Sequence, residues 1–337
     1  MKIISSMKLV TYKNKAGEGF GLFSGEKVYN LHTVNPLIPV DMLAFLKGGD
    51  TMMEKALLAE MQIKDGGWAT ALVSDYQLLA PLPRPASCRD GYAFRQHVEA
   101  ARRNRGLPML PEFDEYPVFY FTNHQAISGP GTIYCMPDHF DRLDFELEIA
   151  VVIGKPGKNI TAAAADNYIA GFMIMNDLSA RTLQMEEMML SLGPAKGKDF
   201  ATATGPWLVT PDELSACQFP AKPGHKGMSY NLPMSCRVNG IEVSYGNMAD
   251  MDWTFAELIE RASYGCCLYP GDVIGSGTVG TGCFLELNGT AALYDKDYQP
   301  QWLQPGDLVE MEVKGLGELC NRVMEEESAW SILKLKK

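Results

Sequence analysis

The chain has 337 residues, of which 46% are hydrophobic, 10% aromatic and 21% charged, with a formal net charge of −11. That length fits one large domain plus a small one, and the apolar content is enough to bury a core, which excludes a disordered chain. The acidic balance argues against a nucleic-acid partner or an anionic membrane surface, both of which call for a basic face, and no segment approaches the ~20 apolar residues of a membrane span.

Residues 1–80 read as a small N-terminal α/β unit. Met1–Lys8 lacks the apolar run of a secretory signal, so the expected location is cytoplasmic. Met7–Tyr12 and Gly19–Leu31 have the composition of short strands around glycine turns, and Leu43–Leu46 and Met52–Met61 carry helical spacing of apolar positions. Pro81, Pro83 and Pro85 permit neither helix nor central strand, which puts a domain boundary here and assigns residues 81–337 to a second, larger domain. Beyond it, Tyr92–Arg105 is Arg-rich and helix-prone. Asp144–Ile153 reads as a strand, Ala162–Tyr168 as a helix, Ile169–Asn176 as a buried strand and Thr182–Leu192 as a helix. From Trp207 onward short strands are expected at Ser235–Val243, Asp272–Ile274, Cys283–Asn288, Ala291–Tyr294 and Asp307–Val313, interrupted by one helix near Asp252–Ala262. The fold class is α+β and β-rich, with a rolled or barrel-like sheet domain in place of a doubly wound one. The eight cysteines form no CxxC pair and no Cys/His zinc spacing, and beside a core of this size they read as reduced thiols.

The sharpest local signal lies at Asp144-Phe145-Glu146-Leu147-Glu148. Residues i and i+2 of a strand share a face, so Glu146 and Glu148 project side by side at the mouth of the apolar run Ala150–Ile153. A solvated strand face is the plain alternative. Paired carboxylates otherwise repel unless a cation or proton lies between them. Asp177 ends another apolar run, either as a third ligand or as an N-cap for the residues that follow. Oxygen donors without His or Cys suit Mg²⁺ or Ca²⁺, with Mn²⁺ an option, over zinc.

Taken together, several motifs resemble the fumarylacetoacetate hydrolase superfamily across roughly residues 85–325. They are Glu146-x-Glu148, Met175-Asn176-Asp177-Leu178-Ser179-Ala180-Arg181-x-x-Gln184, Gly193-Pro194-Ala195-Lys196-Gly197-Lys198 and Gly275-Ser276-Gly277-Thr278. The segment Asp90-Gly91-Tyr92-Ala93-Phe94-Arg95-Gln96-His97 is similar to the version in true fumarylacetoacetate hydrolases. The resemblance implies a metal held by Asp90, Glu146, Glu148 and Asp177, with Lys198 beside it. It makes His97 the base, oriented by Glu286, and gives Tyr92, Arg105, Tyr120, Arg181, Gln184 and Thr278 to a small oxo-acid substrate. Two departures stand out: Arg105 needs a one-residue gap, and Met188 replaces a substrate tyrosine. The implied activity is metal-dependent hydrolysis of a C–C bond in a β-diketo or acylpyruvate acid, such as fumarylacetoacetate in tyrosine degradation. The alternative on the same scaffold is an oxaloacetate decarboxylase or a 2-oxo-acid hydratase or lyase. Family members are commonly homodimers, so a homodimer is expected.

Overall fold

The computed structural model describes residues 7–66 and 68–336. Residues 1–6, most of the stretch read above for a leader, lie outside them. At the centre is the strand Leu147–Ile153, buried along its whole length. Because side chains alternate across a strand, Leu147, Ile149, Val151 and Ile153 enter one apolar cluster, while Ala150 and Val152 enter a second cluster on the opposite face. Burial on both faces is why the segment reads as a continuous apolar run.

This strand pairs antiparallel with Ile169–Asp177 on one side and with Asp272–Gly275 on the other. Outside these lie Thr202–Val209, antiparallel, and Ser87–Gly91, parallel. All belong to an 11-stranded sheet. One of its faces packs on a 5-stranded sheet formed by Pro233–Val238, Ile241–Asn247, Leu308–Val313, Gly317–Glu325 and Gly131–Cys135, whose Met234, Cys236, Met311, Leu319 and Val323 fill the first cluster. The other face is covered by the helices Met42–Lys47 and Gly49–Lys64 through Phe45, Leu46, Ala56, Ala59 and Ile63. The strand Lys8–Asn14 pairs with Thr202–Val209, so the strands before residue 80 extend the same large sheet. Mixed sheets with a modest helical share make this the β-rich α+β architecture expected from the sequence.

Five local expectations give way. Gly19–Leu31 is a hairpin, Gly17–Ser24 against Lys27–Asn30, turning where Gly25 and Glu26 take φ of 55° and 61°. Ser235–Val243 is likewise a hairpin, turning at Asn239-Gly240 with φ of 53° and 79°. Asn-Gly supplies the two positive-φ residues of a tight hairpin turn. The strand expected over Asp144–Ile153 is broken: Leu143–Asp144 forms a separate short pairing and the long strand starts at Leu147. Finally, Cys283–Asn288 and Ala291–Tyr294 are not strands but one helix, Phe284–Tyr294. Its N-terminus is satisfied from a distance, with the Phe284 and Leu285 amides donating to the Asp144 carboxylate at 2.8 and 2.9 Å.

Candidate active site: a carboxylate cluster beside a His–Glu pair

Register and alternation bring three carboxylates to one end of one sheet face. Met173, Met175 and Asp177 alternate on the same side of their strand, as do Glu148, Ala150 and Val152 on the next. Two strands further, Cys88 and Asp90 do the same, with Asp90 opposite Gly275. Gly275 sits between them for a steric reason, since a Cβ there would lie 2.5 Å from Asp90 Oδ1 and 3.0 Å from the Met175 side chain. Gly277, at φ 78°, turns the chain so that its amide donates to Asp90 Oδ1 at 3.1 Å. Glu146 lies in the break before the strand, its amide donating to Asn176 Oδ1 at 3.1 Å. One oxygen from each of Asp90, Glu146, Glu148 and Asp177 lies within 4.8 Å of the others, and all four residues are buried.

The counter-charges are unevenly shared. Lys198 Nζ donates to Glu146 Oε2 at 2.5 Å and to Asp177 Oδ2 at 2.7 Å. Arg181 donates to Asp144 Oδ2 through Nε at 2.9 Å and to Glu146 Oε1 through Nη2 at 2.8 Å. Burial would raise the Glu146 carboxyl, but Lys198 and Arg181 outweigh it and hold it at about 2. Asp90 and Glu148 have no such partner among the described residues. Burial, then the Asp177 charge, lifts Asp90 to about 7, and burial with the Asp90 charge pushes Glu148 well above the carboxylate range. Thr278 Oγ1 donates to Glu148 Oε1 at 3.3 Å; the buried Oε2 meets no donor, and Glu148 bonds to Asp90 only where one of the two carboxyls keeps a proton. An orphaned carboxylate oxygen in a cluster short of positive charge is what a cation would complete. Four carboxylates and no nitrogen or sulfur make a donor set for a hard divalent ion. The residues therefore fit the metal that the resemblance implies, and enzymes of this superfamily generally depend on a divalent ion.

A second grouping faces the same cavity. His97, on the helix Arg95–Arg103, has Nδ1 2.6 Å from Glu286 Oε2. Glu286 is fixed in turn by the Thr281 amide, which donates to Oε1 at 2.9 Å. The Tyr92 ring stands edge-on to the imidazole at 5.9 Å. The cavity, about 670 Å³, is lined by Asp90, Tyr92, His97, Arg105, Tyr120, Glu146, Arg181, Gln184, Lys198, Thr278 and Glu286. Of the residues singled out from the sequence, only Glu148 and Asp177 are not on this wall; they lie behind it, fully buried in the carboxylate cluster.

Some placements refine the expected roles. Arg181 is buried with its donors committed to Asp144, Glu146 and Gln184, so it braces the cluster. Tyr120 Oη donates to Asp177, and Asp177 is not a helix cap, since the next helix starts at Arg181 with Ala180 before it. Arg105 is exposed just past the helix Arg95–Arg103, with Nε donating back to the Ala101 carbonyl. Sequence reasoning passed over Asp144, which is fully buried and ties Arg181 to the start of the helix that carries Glu286. Its place two residues before Glu146 was the available signal. It also passed over Asn104, whose Nδ2 donates to the Glu286 carbonyl at 3.0 Å, and Cys283, which lies beside the pair.

No described helix is long and apolar enough to cross a membrane, and the cysteines are all free thiols. Residues 87–324 match the family described as Fumarylacetoacetate (FAA) hydrolase C-terminal. Oxaloacetate tautomerase FAHD2A, mitochondrial, of Bos taurus is 32% identical over 95% of this chain and 92% of its own length. Oxaloacetate tautomerase YisK of Bacillus subtilis (strain 168) is 29% identical over 88% of this chain and 90% of its own. Among solved structures, a fumarylacetoacetate hydrolase (EaFAH) from psychrophilic Exiguobacterium antarcticum aligns with a TM-score of 0.68 at 24% identity, covering 95% of this chain and 100% of that one. A 2-hydroxyhepta-2,4-diene-1,7-dioate isomerase from Mycobacterium marinum aligns at 0.62 and 23% identity, over 96% and 100%; at these identities both speak for the fold alone. With the match running through every strand that carries a carboxylate of the cluster, the chain belongs to the fumarylacetoacetate hydrolase family and is an enzyme of that superfamily.

Proposed function

We propose that the protein moves a proton at the carbon next to the carbonyl of a small 2-oxo acid, with oxaloacetate and its enol as the substrate pair. The observation that carries this reading is the His97–Glu286 contact of 2.6 Å in the wall of the cavity that also exposes Asp90 and Glu146. A carboxylate only accepts hydrogen bonds, so the Nδ1 proton of His97 belongs to the bond with Glu286 and the Nε2 lone pair is left to act. His97 would take a proton from C3 of the keto acid, the C–H electron pair passing into the enolate; the reverse step returns it. A divalent ion held by Asp90, Glu146, Glu148 and Asp177, Mg²⁺ by preference and Mn²⁺ or Ca²⁺ as alternatives, would supply Lewis-acid polarisation of the 2-oxo group. Lys198 and Arg181 hold Glu146 ionised and in place, and Thr281 and Asn104 fix Glu286 and its helix. Arg105, exposed at the cavity wall, is the cation left for a distal carboxylate. The names of the relatives favour this reading over the C–C hydrolysis put first from sequence.

Hydrolysis remains the second reading, and one observation favours it. The cavity lining also includes the apolar Val118, Phe119, Met185, Met188, Leu285 and Trp302, and its volume of about 670 Å³ exceeds what four carbons fill. There His97 would take its proton from water, and the substrate would be an acylpyruvate or fumarylacetoacetate. Rates for enol-oxaloacetate, an acylpyruvate and fumarylacetoacetate with Mg²⁺ separate the two. Metal-dependent ketonisation of the enol supports the first; cleavage of the acylpyruvate with no effect on the enol replaces it with the second. Eight free thiols suit a reducing compartment, the cytoplasm in our reading, although the animal relatives are named as mitochondrial. We also propose a homodimer, which light scattering checks.

A further inference from the structure

Cys283 has no part in either reading, yet it is fully buried beside the catalytic pair. A nitrogen of His97, the Cys283 sulfur and a carboxylate oxygen of Glu286 all lie within 4.8 Å of one another. Cys283 is the residue before the helix Phe284–Tyr294, and that helix carries Glu286 to the same spot. His97 and Glu286 line the cavity and Cys283 does not, so an ion arriving through the cavity meets the pair first, with the Cys283 sulfur within 4.8 Å of both.

The donors differ in kind from those of the carboxylate cluster. Imidazole and thiolate select zinc and its borderline neighbours, whereas carboxylates alone suit Mg²⁺, Ca²⁺ and Mn²⁺. Three protein ligands with a fourth position open is a common zinc arrangement, and its bond lengths put the ligand atoms roughly 3.3–3.8 Å apart. From the present limit of 4.8 Å the sulfur closes by about 1 Å, while the His97–Glu286 contact opens from 2.6 Å. One thiolate and one carboxylate also neutralise a divalent ion, so the filled site buries no net charge. We infer that His97, Cys283 and Glu286 form a second, thiophilic metal site that takes Zn²⁺, and that filling it silences the enzyme. Binding exchanges the Cys283 S–H bond for an S–Zn bond and releases that proton to solvent. The zinc also takes Nδ1 of His97, whose proton passes through solvent to Nε2, so the ring parts from Glu286 and the Nε2 lone pair is no longer free. Capture of the ion is independent of the function proposed above; the silencing rests on His97 as the base.

The test starts from a Cys266→Ser, Cys267→Ser protein, because those adjacent exposed thiols would bind the same ions. With Mg²⁺ saturating, Co²⁺ is titrated as a spectroscopic probe. The expected result is a near-ultraviolet thiolate-to-cobalt band that saturates at one ion per chain and is displaced by Zn²⁺, with turnover falling in step. Adding Cys283→Ser should remove the band and weaken Zn²⁺ binding by more than about 100-fold, beyond the roughly 10–100-fold that losing an outer-shell partner costs. Turnover should then resist Zn²⁺. Absence of the band in the starting protein overturns the site without recourse to the variant, and so does undiminished Zn²⁺ binding in a Cys283→Ser protein that melts like its parent. A band with stoichiometric binding and unimpaired turnover would keep the site and overturn the silencing, and with it the role of His97.

Discussion

Replacing Glu148 by Gln should make the metal-free protein more stable and the Mg²⁺-loaded protein less stable than the parent. Glu148 is fully buried, one of its oxygens is without a partner, and its neighbour Asp90 also lacks a cation. Without metal, this pair is held together only by keeping a proton. The Gln amide donates to Asp90 without one, which removes a penalty of about 1–3 kcal/mol for an unsatisfied buried group. An unfolding entropy of ~2.1 cal/mol/K per residue gives about 0.7 kcal/mol/K for a chain this long, so the gain is about 1–4 °C in melting temperature. Mg²⁺ at about 100 times its Kd stabilises the parent by about 2.7 kcal/mol, or about 4 °C, and should do nothing for the variant. Scanning calorimetry in EDTA and in Mg²⁺ reads both, and the signature is a reversal of order. Should Glu148→Gln melt below the parent in EDTA, or should Mg²⁺ raise both alike, the carboxylate cluster is not a metal centre.

His97→Gln should lower kcat by roughly 10²–10⁴-fold, the usual worth of a positioned base, with Mg²⁺ affinity by calorimetric titration unchanged; Glu286→Gln should lose less. Arg181→Met leaves Asp144 and half of Glu146 unpaired in the interior, so urea denaturation should show a loss of about 3–5 kcal/mol. Asp90, lifted by burial and Asp177 from 3.8 to about 7, gives a sign for pH. The native chain keeps a proton that the unfolded chain releases, so this contribution is complete below 3.8 and lost as pH rises through 7. Metal-free melting temperatures should therefore fall between about pH 4 and 7, and Mg²⁺ should flatten the fall; a rise across that window contradicts the assignment.

How far the site was legible depended on the range of the interactions behind it. Glu148 and Asp177 could be read locally, because strand periodicity alone puts each at the end of an apolar run. Asp90 could not: it reaches them through the parallel pairing of Ser87–Gly91 with Asp272–Gly275 and the space left at Gly275, and only the family resemblance pointed there. The helix Phe284–Tyr294 was misread because Asn288-Gly289 looks like a turn and its N-terminus is satisfied by Asp144, far away in sequence. A Cβ at Gly289 would sit 2.6 Å from the Asn104 amide, so that glycine marks helix contact, not chain reversal. The choice between water and C3 as the proton donor to His97 leaves no local trace in the sequence, since one His–Glu pair serves both chemistries.

The most direct test of the account follows deuterium at C3 of oxaloacetate by NMR in D₂O with Mg²⁺ present. The protein should incorporate solvent deuterium at C3 far faster than the protein-free reaction does. EDTA should abolish this, and His97→Gln should slow it by roughly 10²–10⁴-fold. Exchange no faster than in the protein-free control, from a preparation that still cleaves an acylpyruvate, would contradict it and assign His97 to water.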